Sequence, residues 1–376
     1  MSPAAAEAFD ALLARVRPEV DRRLERVWAA ELRRARRHDR GVVPMVRAAR
    51  DLTLRGGKRF RAAMVVAAYA GARPRAPLEP ALQAGVAVEL LQSYLLIQDD
   101  WMDGDDTRRG GPSVHAALER TLGRRAVRAR KGGRRLADPA HVGAACAVLA
   151  SDMTWGLAVE TLASIDAPAS RVLAAIRALC RMHDDVVIGQ QMDVLGHAGD
   201  IETMHALKTG SYTVRGPLLL GATIAGSSQR VLAALARYAT PLGVAFQLRD
   251  DLLGAFGSTA QTGKPEGGDL REAKRTAVLV EAERRLDARG RRVLGRVLGR
   301  DDAEPAALAA AREVLEACGA RGAVEARLST LCGRAERLAT RLPLSRGARA
   351  ELAGAAAALR PRRGRAERGN PRQGAR

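Results

Sequence analysis

The amino-acid sequence predicts an all-α protein, a large antiparallel helix bundle around a central cavity. Apolar residues recur every three to four positions over most of the 376 residues. Clusters of Gly and Pro, such as "GARPRAP", "RRGGP" and "TGKPEGG", interrupt those stretches, and no alternating pattern is long enough to build a sheet. Hydrophobic residues make up 47% of the chain but aromatics only 3%, so the core is aliphatic and alanine-rich, which suits closely packed helices.

In chain order, the spacing predicts helices over 8–37, 43–71, 79–103, 139–165, 168–195, 200–208, 212–226, 228–254, 271–288, 291–299, 305–318, 320–341 and 345–360. The opening "MSPAAAEAFDALLARVRPEV" reads as an amphipathic helix with acids too early for a secretory signal. The organisation expected is a basic helical segment over 1–40, a helical domain over 41–345 carrying a basic loop at 120–138, and a C-terminal part over 346–376. The last of these is a helix end followed by a disordered Arg-rich tail, "RPRRGRAERGNPRQGAR", which has no apolar residues to bury.

The net charge of +20 raises the question of nucleic acid. Residues 15–40, 120–135 and 360–376 together hold 19 of the 20 excess charges, so the middle of the chain is nearly neutral. That distribution fits solvated basic surface, and no nucleic-acid partner is expected. No run of about 18 uncharged apolar residues occurs, so no membrane span is expected and a cytoplasmic location is. Cys146, Cys180, Cys318 and Cys332 lack CxxC spacing, which argues against a disulfide framework or a zinc site.

Only five lysines accompany 57 arginines: Lys58, Lys131, Lys208, Lys264 and Lys274. Four of them occupy short Gly- or Thr-containing stretches, "RGGKRFR", "LKTGSYT", "TGKPEGGD" and "EAKRT". A compact ammonium meets a phosphate oxygen as a point charge, so the four lysines suggest a phosphate-binding pocket.

The stretch "LLIQDDWMDGDDTRRGG" (Leu95–Gly111) delivers five aspartates in eight residues from the end of an apolar helix. Asp99 and Asp103, four apart, share a helix face with Asp100 beside the first. Like charges so placed repel, and a hard divalent cation such as Mg²⁺ resolves the conflict while keeping water positions that a diphosphate can take. Arg108 and Arg109 follow at the same mouth. Near residue 250 the pattern returns in "VAFQLRDDLLGAFG", a second apolar helix ending in paired acids, Asp250 and Asp251. Solubility explains one such helix end better than two. Downstream "GKPEGGDLREAKRT" offers Lys264, Asp269 and Lys274, and upstream "GQQMDV" places Gln190 and Asp193 on an apolar helix.

These residues resemble the trans-prenyltransferase family, the polyprenyl (isoprenyl) diphosphate synthases. The match runs from about Gly56 to Thr276 through "GGKRFR", "DDWMD" with "RRGGPSVH", "GQQMD", "KTGSY", "FQLRDD" and "GKPEGGDL…KRT", in the family's order. The resemblance implies a fold of the isoprenoid synthase type and Mg²⁺-dependent head-to-tail condensation of isopentenyl diphosphate with an allylic diphosphate, in a homodimer with three ions per site. It implies that Asp99, Asp100, Asp103 and Asp250 hold the metals, assisted by Asp251. Arg108, Lys208 and Lys264 would contact the allylic diphosphate, and Lys274 would also bind substrate. Lys58, Arg61, Gln92 and Arg109 would hold isopentenyl diphosphate, and Thr209 and Gln247 would flank the reacting carbons. Pyrophosphate itself would take the final proton, so no side-chain nucleophile is needed, and His115 is structural.

Three positions depart from the family pattern. Gly254 stands where a third Asp of the second motif is common, while Gln92 and Gln98 replace common histidines. In the family, bulky residues four or five places before the first Asp limit chain length. Here these are Leu95 and Tyr94, which imply a C20 product, geranylgeranyl diphosphate, with the C15 farnesyl diphosphate as alternative. A class I terpene cyclase and a non-catalytic partner subunit are the other readings; "GGKRFR" and the four lysines favour the synthase over the cyclase.

Overall fold

The computed structural model describes residues 3–123, 138–196, 201–259, 266–300 and 302–360. Most of the expected basic loop, the Arg-rich tail and Lys264 lie outside the described residues.

Helix α1 (Pro3–His38) turns Phe9, Leu12, Val16, Val20, Leu24 and Trp28 inward at three- and four-residue spacing, each at most 1% exposed. It packs against the last helix and against α2 to α4, so the basic segment expected over 1–40 shares the common core. A single helix was expected over 43–71. Instead α2 (Val43–Leu54) and α3 (Phe60–Ala72) are separated by a loop in which Gly56, Gly57 and Arg59 have φ of 65°, 97° and 53°. Three left-handed residues within four positions stop a right-handed helix, and two of them are glycines that adopt the conformation without steric cost.

Helix α4 (Glu79–Met102) is buried along most of its length and ends in the first acidic cluster. A tight hairpin follows, β1 (Thr107–Arg108) paired antiparallel with β2 (Gly111–Pro112). Its turn residues Arg109 and Gly110 have φ of 54° and 72°, the conformation that matches the twist of a two-residue loop. The turn sends the neighbouring Arg108 and Arg109 to different partners. Next come α5 (Val114–Leu118), a π-helical turn (Glu119–Gly123), α6 (Pro139–Ala163) and α7 (Ala169–Val194).

Where two helices with a gap were expected over 200–226, the backbone stays helical throughout: α8 (Ile201–His205), a π-helix (Ala206–Arg215) and α9 (Gly216–Ile224). Widened i to i+5 turns replace the break. Helix α10 (Gln229–Phe256) ends in the second acidic cluster. The expected helix 271–288 is also divided, into α11 (Gly268–Arg271) and α12 (Ala277–Glu283), with Ala273 at φ 52° and Thr276 capping α12 through the Leu279 amide. Helices α13 (Ala288–Leu294), α14 (Pro305–Ala317), α15 (Ala320–Ala339) and α16 (Arg346–Ala358) complete the bundle.

Helix α4 lies between α3 and α6, α3 against α9, and α10 between the π-helix and α15. Three helices, α4, α6 and α10, are by length and composition apolar enough to cross a membrane, with mean hydropathy 1.3, 1.5 and 1.3. A search for wholly uncharged runs passes over them. In α4 this apolarity is used inside the bundle, where 72% of the apolar window is buried.

Candidate active site

The last turns of α4 and α10 open onto one cavity of about 700 Å³ whose wall includes Asp99 from the first and Asp250 from the second. Leu95, Leu96, Met102, Val186, Val194 and Tyr212 supply its apolar lining, and Arg61, Lys208 and Thr209 its polar part. A second chamber of about 420 Å³ shares Asp99, Asp250, Lys208 and Thr209 and adds Arg108, Asp193, Gln247, Asp251, Asp269 and Lys274. The two acidic clusters therefore converge across an apolar hollow.

Cations hold the first cluster. Arg108 donates through Nε to Asp100 at 2.5 Å and also reaches Asp99 at 3.4 Å and Asp105 at 3.2 Å. Lys208 bridges Asp193 at 2.5 Å and Asp99 at 3.4 Å, and Lys274 holds Asp103 at 2.7 Å. Lys208 reaches this position because Gly189 of "GQQMD" lets the π-helix backbone pass close by. A Cβ there would lie 2.7 Å from the Lys208 Cα.

The second cluster is divided in role. Asp251 is 2% exposed, and its two oxygens accept from the Gln247 amide and the Ala277 backbone N–H, both at 2.7 Å, so it ties α10 to α12. Gln247, expected beside the reacting carbons, lines the chamber while bonded to Asp251. Asp250 faces the cavity with no hydrogen bond or ion pair among the described residues. The surrounding protein and the neighbouring Asp251 push its carboxyl up to about 7. Burial pushes Asp251, and Asp100 despite its Arg108 partner, up to about 6.

A basic corner lies beside this cavity. Arg109, turned away from Arg108 by the hairpin, donates to the Leu52 carbonyl at 3.3 Å, and burial lowers its pKa to about 10. Arg61 donates to Thr213 at 2.8 Å and stacks on Tyr212 at 4.3 Å. Arg55 donates to the Pro112 carbonyl at 2.6 Å. The Nε atoms of Arg55 and Arg61 are buried without partners, which marks a place for an anion. Lys58 is exposed at the edge of this loop, and Gln92 is half-buried on α4 outside the lining of the two chambers.

Sequence reasoning missed Arg55 and Arg59. Arg59, 2% exposed, donates to Asp21 at 2.7 Å, to Glu89 at 3.1 Å and to the Thr53 carbonyl at 2.9 Å, which fixes the loop that presents Lys58 and Arg61. The signal was Glu89 inside the apolar "VAVELLQ", since a buried acid requires a buried cation.

Of the two residues expected to limit chain length, Leu95 is in the cavity wall and Tyr94 is not. Tyr94 is 6% exposed, shares a hydrogen bond with His183 Nε2 at 2.9 Å and packs on Trp155 at 5.8 Å between ring centres; Trp155 in turn stacks on His183 at 4.5 Å.

Among the described residues no three carboxylates, imidazoles or thiolates already form a ligating group. The donors nevertheless fit a hard divalent cation: all are carboxylate oxygens, Asp250 carries no cation, and Asp100 Oδ2 is buried without a partner. A pH dependence follows. The raised carboxyls keep protons in the folded state that the unfolded chain, with an Asp value of 3.8, has released. Their contribution is thus complete below that value and lost as pH rises through about 6 to 7. Melting followed across that interval should show the metal-free protein losing stability through these groups, and Mg²⁺ restoring more of it above pH 7 than below pH 6.

A helical bundle that opposes two acid-ended helices across an apolar hollow, with cations on both sides, defines an enzyme acting on the diphosphate of an apolar alcohol. Residues 43–315 match the family model described as "Polyprenyl synthetase". The chain belongs to that family and is a prenyltransferase. It is 30% identical over 276 residues, 72% of this chain and 75% of the other, to a short chain isoprenyl diphosphate synthase of Methanocaldococcus jannaschii. It is 32% identical over 275 residues, 70% of this chain and 68% of the other, to a (2E,6E)-farnesyl diphosphate synthase of Mycobacterium tuberculosis. Among solved structures, a geranylgeranyl pyrophosphate synthase of Corynebacterium glutamicum, complexed with isoprenyl diphosphate and magnesium, superposes with a TM-score of 0.83 at 32% identity. The superposition covers 93% of this chain and 98% of that one.

Proposed function

We propose that the protein condenses isopentenyl diphosphate with an allylic diphosphate to give a short-chain trans-polyprenyl diphosphate, geranylgeranyl diphosphate. The observation that carries this reading is the convergence of Asp99 and Asp250 on one apolar cavity beside a separate basic corner. A terpene cyclase needs only the first of these anion sites. Asp99, Asp100, Asp103 and Asp250 would hold three Mg²⁺ ions, which when bound neutralise the diphosphate and make it a better leaving group. Lys208, Lys274 and Arg108 now neutralise the first cluster's carboxylates. With metal bound to those carboxylates, the same cations would be available to the diphosphate oxygens of the allylic substrate, joined in our reading by Lys264. Arg55, Arg61, Arg109 and Lys58 hold the isopentenyl diphosphate, and the apolar wall excludes water from the allylic cation.

Farnesyl diphosphate is the second reading, favoured by the 32% identity to a (2E,6E)-farnesyl diphosphate synthase. A homodimer is supported by the exposed apolar side chains Val148 and Leu149 on α6 and Leu173 and Ile188 on α7, none of which lines the cavity. We place the enzyme in the cytoplasm, in keeping with four free cysteines.

The test is incubation with Mg²⁺, isopentenyl diphosphate and the C5, C10 or C15 allylic diphosphate, followed by sizing of the dephosphorylated alcohols. A C20 alcohol is expected. Leu95→Ala should lengthen the product by at least one C5 unit, because removal of the branched side chain enlarges the cavity at its wall. Absence of any Mg²⁺-dependent alcohol would end this reading.

A further inference from the structure

We propose that a groove on the outer side of the π-helix binds an anionic amphiphile, an apolar chain with a phosphate or diphosphate head, and that its occupant acts on the segment carrying Lys208 and Thr209. The groove itself is argued from geometry and charge; only the use of a prenyl diphosphate as one probe rests on the prenyltransferase reading above.

Two hollows meet there. One, of about 730 Å³, runs between α7, α9 and α10 over a floor of Ala178, Met182, Leu219 and Leu232. The floor closes because Gly216 has no side chain: a Cβ there would collide with the Met182 sulfur. The other, of about 210 Å³, lies between the π-helix and α10 and is walled by Leu207, Gly210, Gly243 and Val244. Asp185, Ser211 and Arg215 line both, so the open groove leads into the smaller hollow. Leu173 and Ile188, the α7 side chains that support the dimer, line neither.

The rim is cationic. Arg177, Arg181 and Arg215 are exposed and make no hydrogen bond or ion pair among the described residues. Asp184 and Asp185 lie on the same wall, yet neither pairs with these arginines; Asp184 meets His183 at 3.5 Å instead. Three unpaired guanidiniums above an apolar floor fit a head group with several acceptor oxygens, whose chain leaves water along the floor. A bare anion would use the rim and leave the floor wet, and an uncharged lipid would leave the rim unused.

The smaller hollow is one helix away from the reaction. The π-helix presents Lys208 and Thr209 to the two active-site chambers and Leu207, Gly210 and Ser211 to the groove. His205 and Gln247 line both the hollow and the chamber that holds Asp99 and Asp250. A chain lodged between the π-helix and α10 therefore displaces the Lys208 ammonium from Asp99 and Asp193, and lowers turnover without entering the catalytic cavity.

The test uses the full-length protein with Mg²⁺, an alkyl bisphosphonate and isopentenyl diphosphate filling the catalytic cavity. Geranylgeranyl diphosphate, decyl phosphate below its micelle concentration, or inorganic diphosphate is then titrated by calorimetry. One further amphiphile per chain is expected to bind, with inorganic diphosphate at least tenfold weaker. Arg181→Gln/Arg215→Gln should weaken that binding by about tenfold or more, the usual scale for lost hydrogen bonds to charged groups, while melting and uninhibited turnover stay unchanged. In steady-state assays the amphiphile that binds should lower kcat in the wild type, and the variant should resist it. Binding of geranylgeranyl diphosphate alone would assign the groove to the enzyme's own product class, and binding of decyl phosphate alone to acyl-type lipids; either supports the proposal. No second site for either amphiphile, equal binding of inorganic diphosphate, unchanged binding in the variant, or an effect on the allylic KM without one on kcat would overturn it. Absence of any turnover in the wild type would instead count against the prenyltransferase reading, since calorimetry with decyl phosphate reads the groove independently.

Discussion

Asp250→Asn is expected to reduce kcat/KM by roughly 10²- to 10³-fold, the scale on which a single preorganised electrostatic contact to a transition state is measured, while the fold is kept. The asymmetry follows from the environment of the residue. Asp250 makes no hydrogen bond or ion pair among the described residues, and although its side chain is exposed the surrounding protein and Asp251 raise its carboxyl, so no contact in the metal-free protein depends on the charge there. A neutral amide of the same shape removes the repulsion from Asp251 and leaves melting unchanged or raised. Only the metal–diphosphate complex misses the carboxylate. Steady-state kinetics at saturating Mg²⁺ together with melting curves read both quantities. Near wild-type turnover would show that the second cluster does not take part.

The second large effect lies away from the chemistry. Arg59→Met is expected to destabilise the protein by about 3–5 kcal/mol, the usual cost of removing one partner of a buried ion pair. Glu89, 2% exposed, would lose its only guanidinium partner among the described residues, and Asp21 and the Thr53 carbonyl would lose their donor. Any Cβ-bearing residue at 59 also keeps the φ of 53°, so the substitution adds no new backbone strain. Urea denaturation measures the loss. In a double-mutant cycle, Glu89→Gln should cost much less in the Arg59→Met background than in the wild type. Because Arg59 anchors the loop that carries Lys58 and leads into the first turn of α3 with Arg61, the KM for isopentenyl diphosphate should rise more than kcat falls.

The helical class and the two acidic clusters were legible in the sequence because both depend on local pattern: apolar spacing sets the helices, and paired acids at the ends of apolar helices are hard to explain otherwise. What was not legible depended on backbone conformation or on contacts between distant segments. Apolar spacing on both sides of "RGGKR" reads as one helix over 43–71, yet the glycines at 56 and 57 turn the chain. The π-helix at Ala206–Arg215 keeps helical composition while changing the hydrogen-bond register, so pattern alone read it as a gap. Asp251 looked equivalent to Asp250, but only the fold brings Ala277 and Gln247 to its oxygens. Tyr94 was taken for part of the cavity wall from its distance to Asp99 along the chain. A five-residue separation places it well around the helix from Asp99, whereas Leu95, four residues away, shares the face.

The central claim is that the carboxylates around Asp99 and Asp250 act on one shared diphosphate. A crystal structure with Mn²⁺ and a bisphosphonate, the ions located by anomalous scattering, tests it most directly. Ions bonded to Asp99 or Asp103 on one side and to Asp250 on the other, with the bisphosphonate between them and Lys208 turned toward it, are the predicted result. Ions bound at only one of the two helix ends, or a bisphosphonate bound away from the cavity they share, would contradict it.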